Sequence, residues 1–95
     1  LKNNYSKINW SKISTNENAI DLLRKNKDKI DWTLLSSNPK AISLLKDNID
    51  KINWFRLSMN PNAIDLLKEH KDKIKWWSLS SNPNIFTDEP MPELL

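Results

Sequence analysis

The run Lys29-Ile30-Asp31-Trp32-Thr33-Leu34-Leu35-Ser36-Ser37-Asn38-Pro39-Lys40-Ala41-Ile42-Ser43-Leu44-Leu45-Lys46-Asp47-Asn48-Ile49-Asp50 decides how this chain is read. It is one copy of a 22-residue unit, and the same letters return on both sides of it at that spacing. Tryptophan recurs at Trp10, Trp32, Trp54 and Trp76. Isoleucine precedes each by two, at Ile8, Ile30, Ile52 and Ile74, and asparagine recurs at Asn16, Asn38, Asn60 and Asn82. A fixed period of this length marks stacked supersecondary units. One unit has too few apolar side chains to offset the entropy of ordering its own backbone, so neighbouring units must cover each other's faces.

Each unit reads as two short helices. Asn38-Pro39, Asn60-Pro61 and Asn82-Pro83 place a capping side chain before a proline suited to the first helical position. Asn16-Glu17 keeps the cap and puts an acid in the first turn, where the helix dipole favours it. Ala41, Ile42, Leu44 and Leu45 then follow the i, i+3, i+4 spacing of an amphipathic helix. That helix is expected to end near Asn48, and its equivalents near Asn26 and His70. A second, shorter helix is expected from about Asp28 or Asp31 to Ser37, with Trp32 and Leu35 on one face and Asp28, Asp50 and Asp72 as caps of this helix in successive units.

The alternation Ile-x-Trp also suits a short strand, which would make a leucine-rich-repeat-like α/β coil. The x-x-Leu-Ser spacing after tryptophan does not continue the alternation such a strand needs. The expected fold is therefore all-α: a right-handed-type α-solenoid of short helix-turn-helix units. Its expected core is Ile30, Trp32, Leu35, Ile42 and Leu45 in one unit and Ile52, Trp54, Leu57, Ile64 and Leu67 in the next. Trp32 and Trp54, with a unit on each side, should be among the most buried side chains.

Residues 1–6 align with the end of a unit and are expected to close a truncated one in a longer array. Full units span 7–28, 29–50 and 51–72. A final partial unit spans 73–86, where Ile85-Phe86 replaces Ala-Ile. Residues 87–95 are acidic and carry Pro90 and Pro92, which break a helix, so they are expected to form a C-terminal cap.

Composition excludes several classes of function. The 95 residues suit one domain. The absence of cysteine removes disulfides and thiolate chemistry and fits an intracellular, reducing setting rather than a secreted one. No apolar run approaches the ~18 residues a membrane span needs, and no signal peptide is visible. The chain has no glycine, so it has no Gly-rich phosphate loop, and asparagine must serve wherever a turn needs a positive φ. The net charge of +3 is uneven: 7–28 carries +2, 29–50 none net, 51–72 +1 and 73–95 −1.

The run Asp50-Lys51-Ile52-Asn53-Trp54…Leu57-Ser58…Asn60-Pro61-Asn62-Ala63-Ile64-Asp65-Leu66-Leu67-Lys68 resembles a repeat of giant DNA viruses of the mimivirus type. There the pattern K-I-D-W-x-x-L-S-x-N-P-N-A-I-x-L-L recurs in long tandem arrays. The ending Leu79-Ser80-Ser81-Asn82-Pro83-Asn84-Ile85-Phe86 is similar to the way such arrays close. The resemblance covers nearly the whole chain, with departures at Glu17, where proline is expected, and at Lys75, where Asp or Asn is usual. It implies a solenoid-like repeat protein of unassigned function, with no family catalytic residue to carry over. It also implies a viral setting, in the virion or the host cytoplasm.

The chemistry-bearing residues recur with the unit, which favours architecture over catalysis. Asp28, Asp50 and Asp72 read as caps, and Ser14, Ser36, Ser58 and Ser80 as hydroxyls bonded to backbone. His70 is the only histidine and stands in the slot of Asn26 and Asn48, so no zinc set exists. No catalytic, cofactor-binding or metal-binding residue is expected, no small-molecule substrate, and no enzyme. The slots that change between units are more telling. Ser11, Thr33, Phe55 and Trp77 share one, and Lys12, Leu34, Arg56 and Ser78 the next. Thr33, Leu34, Phe55, Arg56 and Trp77 are the candidate interface, because aromatic and arginine side chains anchor protein interfaces. The expected function is a non-catalytic module for protein–protein interaction or structural scaffolding, with virion or host proteins as partners. The alternative is single-stranded nucleic-acid binding along Lys7, Lys12, Arg24, Lys25 and Lys27, with the tryptophan column as a stacking platform.

Overall fold

The computed structural model describes residues 8–84. Among them are seven short α-helices and no strand. They alternate as a tryptophan helix and an isoleucine helix in each unit: α1 (Trp10–Ser14), α2 (Ile20–Arg24), α3 (Trp32–Leu35), α4 (Ile42–Lys46), α5 (Trp54–Ser58), α6 (Ile64–Glu69) and α7 (Trp76–Leu79). A single 3-10 turn follows each isoleucine helix, at Lys27–Lys29, Ile49–Lys51 and Lys71–Lys73. Successive tryptophan helices lie against one another, α1 on α3 and α5 on α7. The principal extents are 51 × 22 × 19 Å.

The two residues before each helix-opening tryptophan are neither strand nor helix. Ile30 (φ −67°, ψ 135°) and Asp31 (φ −85°, ψ 96°) are extended and join the 3-10 turn to the tryptophan helix. That geometry is what an N-cap requires, so the residue just before tryptophan is the cap. The side chains of Asn9, Asp31 and Asn53 accept from the backbone N–H of Lys12, Leu34 and Arg56 at 3.1, 3.1 and 3.0 Å. The expected caps Asp28, Asp50 and Asp72 lie instead in the 3-10 turns, exposed.

Asn38 and Asn60 are not helix caps either. The isoleucine helix begins three residues later than expected, after Ala41 and Ala63, with no side-chain cap. Asn38 closes the turn 38–41: the Ala41 N–H donates to its carbonyl at 3.1 Å and the Lys40 N–H to its Oδ1 at 3.0 Å. Pro39 supplies the fixed φ that the second position of such a turn favours. Among the described residues no φ is positive, so asparagine serves these turns through hydrogen bonds rather than through left-handed backbone.

Leucine fills the centre. Leu23, Leu35, Leu44, Leu45, Leu57, Leu67 and Leu79 are fully enclosed, with Ala41, Ala63, Leu66, Ile30, Ile52 and Ile74 around them. Of the expected core, Leu35, Leu45, Leu57, Leu67, Ile30 and Ile52 are buried, while Ile42, Ile64, Trp32 and Trp54 are half-buried and pack against the cluster. Trp32 and Trp54 are thus not the most buried side chains. Each opens its helix, and Cβ bonds lean toward the helix N-terminus, so the indole lies at the edge of the stack while leucine one turn on points inward. The expected partial unit at 1–6, the Ile85-Phe86 replacement and the cap at 87–95 lie outside the described residues.

Candidate interaction surface

Two polar ladders run through the stack. Ser14, Ser36 and Ser58 each donate their hydroxyl to the tryptophan carbonyl of their own helix (Trp10, Trp32, Trp54) at 2.7 Å. Each also accepts, across the unit boundary, the backbone N–H of Asp31, Asn53 or Lys75 at 2.9, 2.9 and 3.0 Å. The second ladder is asparagine. Asn38 Nδ2 donates to the carbonyls of Ser14 and Asn16 at 3.1 and 3.2 Å. Asn60 does the same to Ser36 and Asn38, and Asn82 to Ser58 and Asn60. These amides are almost wholly enclosed. Among the described residues no buried side-chain polar atom lacks a partner, and the buried serines and asparagines of these ladders are consumed in joining units.

The slots that vary from unit to unit lie outside this framework. Ser11, Thr33, Phe55 and Trp77 follow the tryptophan that opens each helix, and all four are exposed. Phe55 is 48% and Trp77 85% exposed, large values for aromatic side chains. The next slot is not uniform: Lys12 is exposed, Leu34 and Arg56 are half-buried, and Ser78 is buried with its hydroxyl on the Lys75 carbonyl at 3.0 Å. The candidate residues therefore form an aromatic edge at Phe55 and Trp77, flanked by Arg56, rather than a flat face two residues wide. Trp76, which opens α7, is itself 40% exposed.

The described basic residues of the first unit lie on different elements. Lys12 lies on α1, whereas Arg24, Lys25 and Lys27 lie at the end of α2 and in the turn after it. Arg24 is engaged by Asp47 at 3.5 Å and by the Ser43 hydroxyl at 3.0 Å. Lys7 lies outside the described residues. His70 packs its ring on Trp54, centroids 5.4 Å apart and tilted by 49°. Its slot-mates Asn26 and Asn48 instead donate to the carbonyls of Leu22 and Leu44. Ser80 breaks the serine pattern: it is exposed, and its hydroxyl meets the Trp77 carbonyl.

Among the described residues no cluster of three His, Cys, Asp or Glu side chains could hold a metal ion, and no helix is long and apolar enough to cross a membrane. Comparison with protein-family models, curated proteins and solved structures gave no match to this chain.

Proposed function

We propose that the chain is a non-catalytic α-solenoid module that binds a protein partner along the edge carrying Phe55, Arg56 and Trp77. One observation carries the reading: the repeated leucine, serine and asparagine slots mostly serve the interior and the ladders, and the slot after the opening tryptophan varies, is exposed in every unit and holds large aromatics in two. Burying an exposed indole removes apolar surface worth about 25 cal/mol per Å², and such residues are the common anchors of interfaces. The likeness of the repeat to those of giant DNA viruses supports a scaffold or adaptor role, in the particle or the host cytoplasm. Affinity capture with the wild-type chain and with a Phe55→Ala/Trp77→Ala variant tests it. Partners retained equally by both refute the proposed edge. Detection of the protein in purified particles separates a structural role from a host-directed one. The single-strand binding alternative predicts an affinity for single-stranded DNA that falls steeply with salt.

A further inference from the structure

The surroundings of Phe55 carry charge of one sign and no counter-charge of their own. The Ser11 hydroxyl donates to Asp31 Oδ2 at 3.2 Å, so the varying slot of one unit abuts the residue before tryptophan in the next. The backbone at that residue repeats from unit to unit. Asp31, Asn53 and Lys75 are all extended, and Ser14, Ser36 and Ser58 hold their N–H groups at 2.9, 2.9 and 3.0 Å. The same step therefore sets Thr33 against Asn53 and Phe55 against Lys75. Along the stack these junctions pass from acidic to neutral to basic.

Arg56, the residue after Phe55 on α5, adds a second cation at the basic junction. Arg24 in the first unit is paired with Asp47, but among the described residues neither Arg56 nor Lys75 has a carboxylate within ion-pair distance. Asp31 is the one acid among the described tryptophan helices and the two residues leading into each. Asp50, Asp65, Glu69 and Asp72 lie instead on α6 or in the 3-10 turns. Phe55 is 48% exposed with a described unit on either side of its own, so its exposure belongs to the interior of the stack.

We propose that the junction of Phe55, Arg56 and Lys75 takes an acidic protein segment, which lays one large apolar side chain on the Phe55 ring and sets carboxylates on the two cations. The inference rests on the protein-binding reading above and names the chemistry of that partner. A guanidinium matches a carboxylate with paired donors. Arg56 is half-buried, so salt screens such a pair less than it would at an open surface. Nucleic acid suits the edge less well. Its charge recurs at every nucleotide, and a strand following the edge would leave the cations for the neutral Thr33–Asn53 junction and then meet Asp31.

Selection from a random peptide display library on the immobilised full chain tests the proposal. Enriched peptides should be net acidic, with Asp or Glu flanking one large apolar residue. In fluorescence anisotropy with one such peptide, Phe55→Ala should weaken binding at least about tenfold. Arg56→Gln/Lys75→Asn should weaken it at least about fivefold, and more at low salt than at high. Asparagine already fills the equivalent cap at Asn53, so this second variant keeps a residue suited to the start of α7. Circular dichroism should show both variants folded. Neutral or basic peptides that lose binding with Phe55→Ala overturn the acidic assignment and leave the edge standing. Peptides that bind Phe55→Ala and wild type equally overturn both. A library that yields no Phe55-dependent peptide overturns the proposal, as does oligothymidine that binds through Phe55 more tightly than any peptide.

Discussion

The side-chain amide of Asn60 reaches back one unit and donates to the carbonyl of Asn38, 3.1 Å away, while the same nitrogen holds the Ser36 carbonyl at 3.0 Å. One side chain thus reaches two buried carbonyls of the preceding unit: that of Ser36, left open at a helix end, and that of Asn38, which also accepts the Ala41 N–H. Replacing Asn60 by alanine leaves the enclosed Ser36 carbonyl without its donor, while the Asn38 carbonyl keeps the Ala41 N–H at 3.1 Å. One unmet buried polar group costs about 1–3 kcal/mol, so Asn60→Ala should destabilise by about that much in a circular-dichroism melt. Asn60→Asp keeps the shape but aims a carboxylate at two carbonyl oxygens and should be worse than alanine. A melt within experimental error of wild type for either variant would remove the ladder as a source of cohesion.

Leu57 and Trp54 share a helix yet differ in kind. Leu57 is enclosed on all sides, whereas Trp54 is half-buried at the rim. Leu57→Ala should leave a closed cavity and cost about 2–5 kcal/mol. The space left by Trp54→Ala opens to water, so its loss should be the smaller of the two despite the larger side chain. Trp77→Ala, at a surface site outside the core, should stay within about 0.5 kcal/mol. Denaturant titration of the three variants ranks them, and a Trp54→Ala loss exceeding that of Leu57→Ala would return tryptophan to the centre of the core.

The period, the all-helical class and the inward leucines were legible because burial and helix propensity act locally and repeat with the letters. The asparagine role was not. From sequence, Asn38-Pro39 has the composition of a helix start, and the same two residues also suit a tight turn. The choice is made by the two carbonyls of the preceding unit, 22 and 24 positions back, which only the stacked structure brings within reach of the amide. The Trp32 and Trp54 burial was misjudged for a related reason. Repetition of a residue shows that the architecture uses it, but not whether it lies at the centre or the rim. The exposure of Phe55 and Trp77 was readable, because a slot that accepts serine, threonine, phenylalanine and tryptophan is not constrained by packing.

Among the described residues of its slot, His70 does not donate to a helix-end carbonyl in the manner of Asn26 and Asn48, which hold the Leu22 and Leu44 carbonyls at 2.8 and 2.9 Å. Asn at this place can make the same bond to Leu66. A net hydrogen bond contributes about 0.5–1.5 kcal/mol, against loss of the His70–Trp54 ring contact. His70→Asn should therefore leave stability unchanged or raise it by up to about 1 kcal/mol. A clear drop in the urea midpoint would mean that the ring contact outweighs the carbonyl bond.

Lys75 offers the sharpest comparison within the chain. It occupies the cap position filled by Asn9, Asp31 and Asn53, and its extended backbone (φ −99°, ψ 98°) matches theirs, but it gives α7 no side-chain hydrogen bond. Its own N–H is held by Ser58 at 3.0 Å, a bond that a change of side chain leaves in place. Lys75→Asp would present a carboxylate to the N–H of Ser78, three residues on, as Asp31 does for Leu34 at 3.1 Å. It would also put a negative charge at the positive end of the helix. A good N-cap contributes about 0.5–2 kcal/mol, so Lys75→Asp should stabilise the chain by about 1 kcal/mol. Lys75→Asn should give most of that gain, since it makes the same bond without the charge. Thermal melts at low and high salt separate the two contributions: the hydrogen-bond part persists and the charge part fades. If neither variant raises the midpoint, the last unit is limited by packing rather than by its cap.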